Sequence, residues 1–462
     1  MFKIKILCLT FLSLGMATTH ADFTHLQSMS DEQLSETTGQ ALMSLTYIAP
    51  TDATNLEAKR KDGAGNIIGA KNIGFYKLGL EAELELNANI KKLQLGCGGA
   101  NGAGNCDIDI DNLSLSGLGN SASSNTGSAA DRAARVGSSA VLTNPYMQFA
   151  IKNPNSASTR ELVGINLSSE KAIGLLTFGQ ENSSTKNGIN SLSGYMEVAA
   201  TTGTALVNGF GTSLVSGEAA RRQLIQSDGY NAIKGSACCA IFPIGFTTTA
   251  YNLNLRDKAT GSNILKGDLF LPEQAITGKR ISSAPLTASA QVRDIDLSGN
   301  IIANALLIIN LNKETTGTIQ NLNVNVGINE DLGYFHKASL NGTPASLSIQ
   351  GQDLQWPGNK STAVKGWWLE FSDPIDIGKI DPTDRVDIPK ATLNEVMTQV
   401  GGYLQKNPVD CGPILLNCLL GSSIPVGTVD LKDAPSAQMN LNNLQLAKQD
   451  FTPNCYGSLK FC

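Results

Sequence analysis

Histidine is the side chain best suited to moving protons near neutral pH, and this chain carries three: His20, His25 and His336. His20 and His25 fall in the N-terminal arm, so a Ser-His-Asp or Cys-His centre would have to be built on His336. No Gly-x-Ser-x-Gly elbow accompanies it. Paired carboxylates hydrolyse glycosides without histidine. The most site-like cluster of that kind is "KGWWLEFSD", which sets Glu370 beside Trp367 and Trp368. Aromatic faces stack on sugars, but Trp pairs serve more often as core anchors or interface residues. These three residues are therefore a candidate binding site rather than a catalytic one. Asp107, Asp109 and Asp111 alternate in "CDIDID" and fall on one face of a strand. A second acidic run holds Asp373, Asp376, Asp381, Asp384 and Asp387. Calcium favours such oxygens. Yet the first run has Asn112 where an EF-hand loop needs Gly, and Leu118 where it needs a bidentate Glu. A solvated polar face or turn capping is the simpler account, which leaves Asp107, Asp109 and Asp111 a weak metal candidate. Glycine-rich "GCGGANGAGNC" leads into no helix signal and reads as a hairpin tip, not a phosphate cradle. These residues point to no enzyme and no cofactor.

Cysteines carry more information. There are nine, and Cys8 lies in the apolar start of the chain. The other eight have local spacing: Cys97 and Cys106, Cys411 and Cys418, Cys455 and Cys462 each bracket a short loop, and Cys238 and Cys239 are adjacent. That pattern predicts three short disulfide clips, plus either a vicinal disulfide or two buried thiols at Cys238 and Cys239. Zinc sites need closer C-x2–4-C pairs that converge in fours, and none is present.

The first 21 residues have the build of a secretory signal peptide. Lys3 and Lys5 precede an apolar run from Ile4 to Met16, and small Ala21 precedes Asp22. The run is too short to span a bilayer as a helix, and a retained N-terminal anchor is the rival reading. Loss of Lys3 and Lys5 takes the net charge from −5 to −7. A mildly acidic chain is not built for nucleic acid. The expectations are export to the periplasm, outer-membrane surface or medium, and no transmembrane insertion.

The elements that must position any site read as strands. Leu80, Ala82, Leu84, Leu86 and Ala88 alternate with Glu81, Glu83, Glu85 and Asn87, which predicts one long strand with one wet face. "CDIDIDNLSLSGLG" slips phase by one residue, as a bulge would make it. "AVLTNPYMQFAIKNP" reads as strand, Asn-Pro turn, strand, Asn-Pro turn. A loose core, apolar-x-apolar-x-Asn-Leu, recurs in "IDIDNLSL", "IQNLNVNV" and "MNLNNLQL" without a fixed period. The expected fold is all-β, mainly long antiparallel strands in a sandwich or extended twisted sheet, with an irregular β-solenoid as the alternative. Two helices are expected. Ser30 and Gln33 form a capping box for a short one over Asp31–Thr38, closed by Gly39. Leu393, Val396, Met397, Val400 and Leu404 define an amphipathic one over 390–406, weakened by Gly401 and Gly402. The chain divides into residues 1–21, a docking segment 22–50, a large β region 51–360 with a Ser/Gly/Ala-rich loop at 118–139, and a C-terminal region 361–462.

The stretch Asp31, Leu34, Ser35, Thr38, Gly39 and Gln40, a D-x-x-L-S-x-x-T-G-Q motif behind the signal peptide, resembles the N-terminal signature of Fil-type exported proteobacterial pilus or filament proteins. The resemblance is specific over about 12 residues. It implies export and a non-enzymatic role in a surface filament or its assembly, with other filament or pilus proteins as partners and a homo- or hetero-oligomeric state. A secreted adhesin or binding module for glycan or calcium is the alternative.

Overall fold

A computed structural model describes residues 43–118, 134, 137–180, 185–210, 222–225, 228–239, 242–248, 250–305, 309–412 and 423–444. The chain is all-β, as expected. The Asp31–Thr38 helix, the motif residues, most of the 118–139 loop, Cys418, Cys455 and Cys462 lie outside the described residues.

The largest sheet has twelve strands. Its main path runs β1 (Met43–Ile48), β2 (Ile73–Leu80), β6 (Ala140–Lys152), β7 (Glu161–Thr177), β21 (Ala345–Gln350), β22 (Gly366–Ile375), β8 (Ile189–Val198), β5 (Ile108–Ser116) and β4 (Ala88–Leu95). Off this path β3 (Glu83–Leu86) pairs with β6, β20 (Lys337–Asn341) with β7, and β15 (Gln274–Ile281) with β8. The end of β5 also pairs with β7, so β7, β21, β22, β8 and β5 close a ring. From that ring β6, β2 and β1 extend as a wing. A six-stranded sheet follows the order β23 (Arg385–Asp387), β9 (Thr201–Asn208), β14 (Ile264–Leu271), β16 (Ser283–Val292), β19 (Asn323–Asp331), β26 (Ala437–Asn442). A five-stranded sheet runs β10 (Arg222–Ile225), β13 (Ala250–Asp257), β17 (Ile295–Ala305), β18 (Ile309–Gln320), β25 (Ile424–Asp430). The last joins β12 (Phe242–Thr247), β11 (Lys234–Cys239) and β24 (Val409–Asp410). C-terminal β22 sits inside the largest sheet, and β25 and β26 add in parallel to β18 and β19. One large apolar cluster joins these sheets.

The expected amphipathic helix is α1 (Lys390–Lys406), which buries Leu393, Val396, Met397, Val400 and Leu404. Gly401 earns its place by contact. A Cβ there would stand 3.1 Å from the Lys234 carbonyl oxygen, so its absence lets the helix press onto β11. Among the described residues no helix is long and apolar enough to cross a membrane.

The recurring Asn-Leu core has a backbone explanation. Asn112, Asn321 and Asn443 stand at its Asn position, with φ of 50°, 60° and 48°. Asn tolerates this left-handed region better than other L residues. At Asn112 strand β5 changes partner, from β8 at Ile108–Ile110 to β7 at Ser114–Ser116. Two strand expectations are corrected. The Asn144-Pro145 step is no turn: β6 continues through it, with Asn144 at φ 47° and bonded to the Ala82 carbonyl. The long leucine-glutamate strand divides into β2, β3 and β4.

Candidate functional site

The wing has two unlike faces. Side chains alternate across each strand, so one set of residues serves each face. On the back, Ile73, Phe75, Ala150, Val163 and Trp368 pack with Leu354, Trp356 and Ala363 from the segment 351–365. Gly164 makes room for that cover: a Cβ there would lie 2.8 Å from the Trp356 ring. The Trp356 indole donates to Gln350 at 3.1 Å. Glu57, fully buried, gathers three donors at 2.8 Å: the Arg60 guanidinium and the backbone amides of Ala70 and Gln355. Glu370 accepts from the Lys360 amide at 2.6 Å and the Ser361 hydroxyl at 2.5 Å, and the Trp368 indole donates to Ser361 at 3.1 Å. Burial pushes the Glu370 carboxyl above its usual range, and these hydrogen bonds only partly offset it. The back face is therefore a finished, pinned core.

The front face is apolar and bare among the described residues. Register places Leu45, Leu78, Met147, Leu167, Leu347 and Leu369 in one row across β1, β2, β6, β7, β21 and β22. A neighbouring row is Tyr47, Tyr76, Phe149, Ile165, Ile349 and Trp367. Tyr47 and Tyr76 stack with centroids 4.4 Å apart. Leu84 and Leu86 of β3 join this apolar surface, together with Leu115, Leu142, Leu176 and Leu340. With Leu78, Met147, Leu167, Leu347 and Leu369 of the first row they line a trough of about 660 Å³ that carries no charged residue. At ~4.8 Å per strand, a six-strand row is about 24 Å long. Leu45 is 69% exposed and Leu84 47%. A patch of this extent on a folded chain marks a contact or ligand site.

The two ends of the large sheet also differ. Among the described residues β1, "MSLTYI", is an edge strand, and it carries no charge and no proline. β4 ends the path at the other side and carries Lys91 and Lys92. Edge lysines discourage strand addition, so β4 is guarded and β1 is not.

The sequence candidates fall as follows. Cys97 and Cys106 are disulfide-bonded and clip the β4–β5 hairpin tip, where Gly96, Gly98, Gly99, Gly102 and Gly104 all take positive φ. Cys411 is disulfide-bonded. Cys238 and Cys239 close strand β11 beside Pro243 and Phe242. Trp367 and Trp368 straddle the sheet: Trp367 ends a front row, while Trp368 is 2% exposed in the back core. Glu370 is 1% exposed and holds the cover segment. Asp107 is buried, accepting from the Asn101 amide at 3.0 Å and the Trp367 backbone at 3.1 Å. Asp109 and Asp111 share the Lys92 ammonium at 2.6 and 2.9 Å, so a lysine already offsets half of that pair's charge. Among the described residues no cluster of His, Cys, Asp and Glu is arranged to hold a metal. Sequence reasoning missed the trough. Its signal was present in the alternation of Leu80, Leu84 and Leu86, which predicts a dry face but not what lies against it. Comparisons with protein-family models, curated proteins and solved structures found no match.

Proposed function

We propose that the chain is a non-enzymatic, exported component or assembly factor of a bacterial surface filament or pilus, and that it meets its neighbours by strand addition at β1. The observation that supports this reading is the unguarded edge Met43–Ile48, continuous on its front face with rows of apolar residues. Strand addition supplies affinity through main-chain hydrogen bonds and specificity through alternate side chains. A neighbour's strand laid beside Met43, Leu45 and Tyr47 extends both apolar rows by one residue each. The Cys97–Cys106 disulfide suits an oxidising compartment, and the post-signal motif of the Fil-type proteins supplies the filament context. The test is Leu45→Lys, which copies the guard of β4. The variant is exported and folded, because Leu45 is exposed, but is lost from the surface filament fraction. A Leu45→Lys protein that enters filaments at the normal level overturns the reading.

A further inference from the structure

We infer that the disulfide at Cys411 runs to Cys239, tying β24 to β11, in place of the short clip to Cys418 that spacing alone predicts. Cys411 is buried and disulfide-bonded, and Cys97 and Cys106 hold each other. Its partner is therefore one of Cys8, Cys238, Cys239, Cys418, Cys455 and Cys462. Register points to Cys239. β11 and β24 pair in parallel, with Ala237 opposite Val409 and Cys238 opposite Asp410. The next residue of each segment is a cysteine: Cys239 ends β11, and Cys411 follows directly on β24. Neighbouring strands lie ~4.8 Å apart, inside the ~4.4–6.8 Å between Cα atoms that a disulfide spans. Alternation separates Cys239 from its neighbour. Ala237, Val409 and Cys411 are buried, whereas Asp410 is exposed. Cys239, two positions past Ala237, falls on the buried face, and Cys238, opposite Asp410, falls on the other.

The surroundings give this tie something to hold. β24 is two residues long, and its few backbone hydrogen bonds, each modest in net effect, secure it poorly. Just before it, α1 presses Gly401 onto the Lys234 carbonyl, and the Ser236 hydroxyl donates to the Leu404 carbonyl at 3.3 Å. A bond at Cys239 fixes the far end of that same contact. In the chain-entropy account, closing a loop of about 170 residues restrains the unfolded chain more than a short clip does. The bond forms as the two thiols lose two protons and two electrons to an incoming disulfide, which leaves as two thiols.

Peptide mapping tests the pairing independently of the filament reading. The full chain is denatured at acid pH with free thiols alkylated, then digested without reduction. Trypsin leaves Cys238 and Cys239 on residues 235–256, and Cys411 and Cys418 on residues 407–432. Chymotrypsin, cutting after Leu416, parts Cys411 from Cys418. The expected result is a linked pair of peptides whose fragment ions place the bond at Cys239 and Cys411. The link persists in the double variant Cys238→Ser/Cys418→Ser. Cys411 bonded to Cys418, to Cys238 or to any other cysteine in the wild-type chain overturns the inference. So does Cys411 recovered as an alkylated thiol, or loss of the link in the folded double variant. If that variant fails to fold, the wild-type map decides alone.

Discussion

The β4 end and the β1 end of the same twelve-stranded sheet are built to opposite rules. At β4 the chain spends charge and a covalent clip. Lys91 and Lys92 stand on the edge, Lys92 bridges Asp109 and Asp111, and the Cys97–Cys106 disulfide closes the hairpin tip. At β1 there is neither charge nor clip, and the front rows of leucine, tyrosine and methionine are left without a cover among the described residues. Poor folding does not explain the open end. Its back face holds two tryptophans in a pinned core, and Glu57 receives three donors there. Among the described residues, one edge is guarded and one face finished, while the other edge and face stay bare.

Breaking the back cover of the β1 end gives the largest effect on stability. Trp356→Ala is expected to cost about 3–5 kcal/mol, as for large aromatic truncations in cores, whereas Leu45→Ala on the open row stays within about 0.5 kcal/mol. Chemical denaturation of the two variants checks the contrast, and equal losses would mean that the rows are covered. Removing the clip of the β4 end comes next. The Cys97→Ser/Cys106→Ser pair frees a loop of sequence separation 9, worth roughly 2–3 kcal/mol at most, and limited proteolysis should then cut first between residues 97 and 106.

The lysine guard has a smaller effect with a defined pH signature. Burial pushes the Asp109 carboxyl up, but hydrogen bonds from Lys92, Gln94 and Asn190 outweigh it and hold the group below the usual carboxylate range. A depressed carboxyl stabilises the fold above its unfolded value, about 3.9, and that contribution is lost as pH falls through the folded value. Lys92→Met is therefore expected to move the acid-unfolding midpoint to higher pH and to cost about 0.2–1 kcal/mol at neutral pH. An unmoved midpoint would mean that the guard is electrostatically idle. His336, at neither end, supplies a second window. Burial lowers its imidazole below the usual range against the opposing hydrogen bond to the Phe178 carbonyl. The stability it contributes is present above about pH 6.5 and declines as pH falls through the folded value, so His336→Gln should flatten the melting profile there.

Much of this contrast was legible in the residues. The β4 hairpin followed from its glycines and bracketing cysteines, and α1 from apolar spacing. The recurring Asn-Leu core marked places where Asn takes a left-handed backbone, at Asn112, Asn321 and Asn443. What could not be read was long-range pairing. Leu45, Leu78, Met147, Leu167, Leu347 and Leu369 span more than three hundred positions of sequence and meet only through strand order. Period-two alternation reports that a strand has a dry face, not what lies against it. The Trp367–Trp368 pair shows the same limit: adjacent residues on a strand cannot share a face, and here Trp367 ends a front row while Trp368 sits in the back core.

The proposed role rests on β1 as a contact edge. Amide hydrogen exchange over Met43–Ile48 tests it most directly, comparing the isolated chain with the chain in purified surface filaments. Exchange is expected to slow in the filament at β1 alone, with β4 unchanged. Equal rates at β1 in the two samples, or protection at β4 instead, would contradict it.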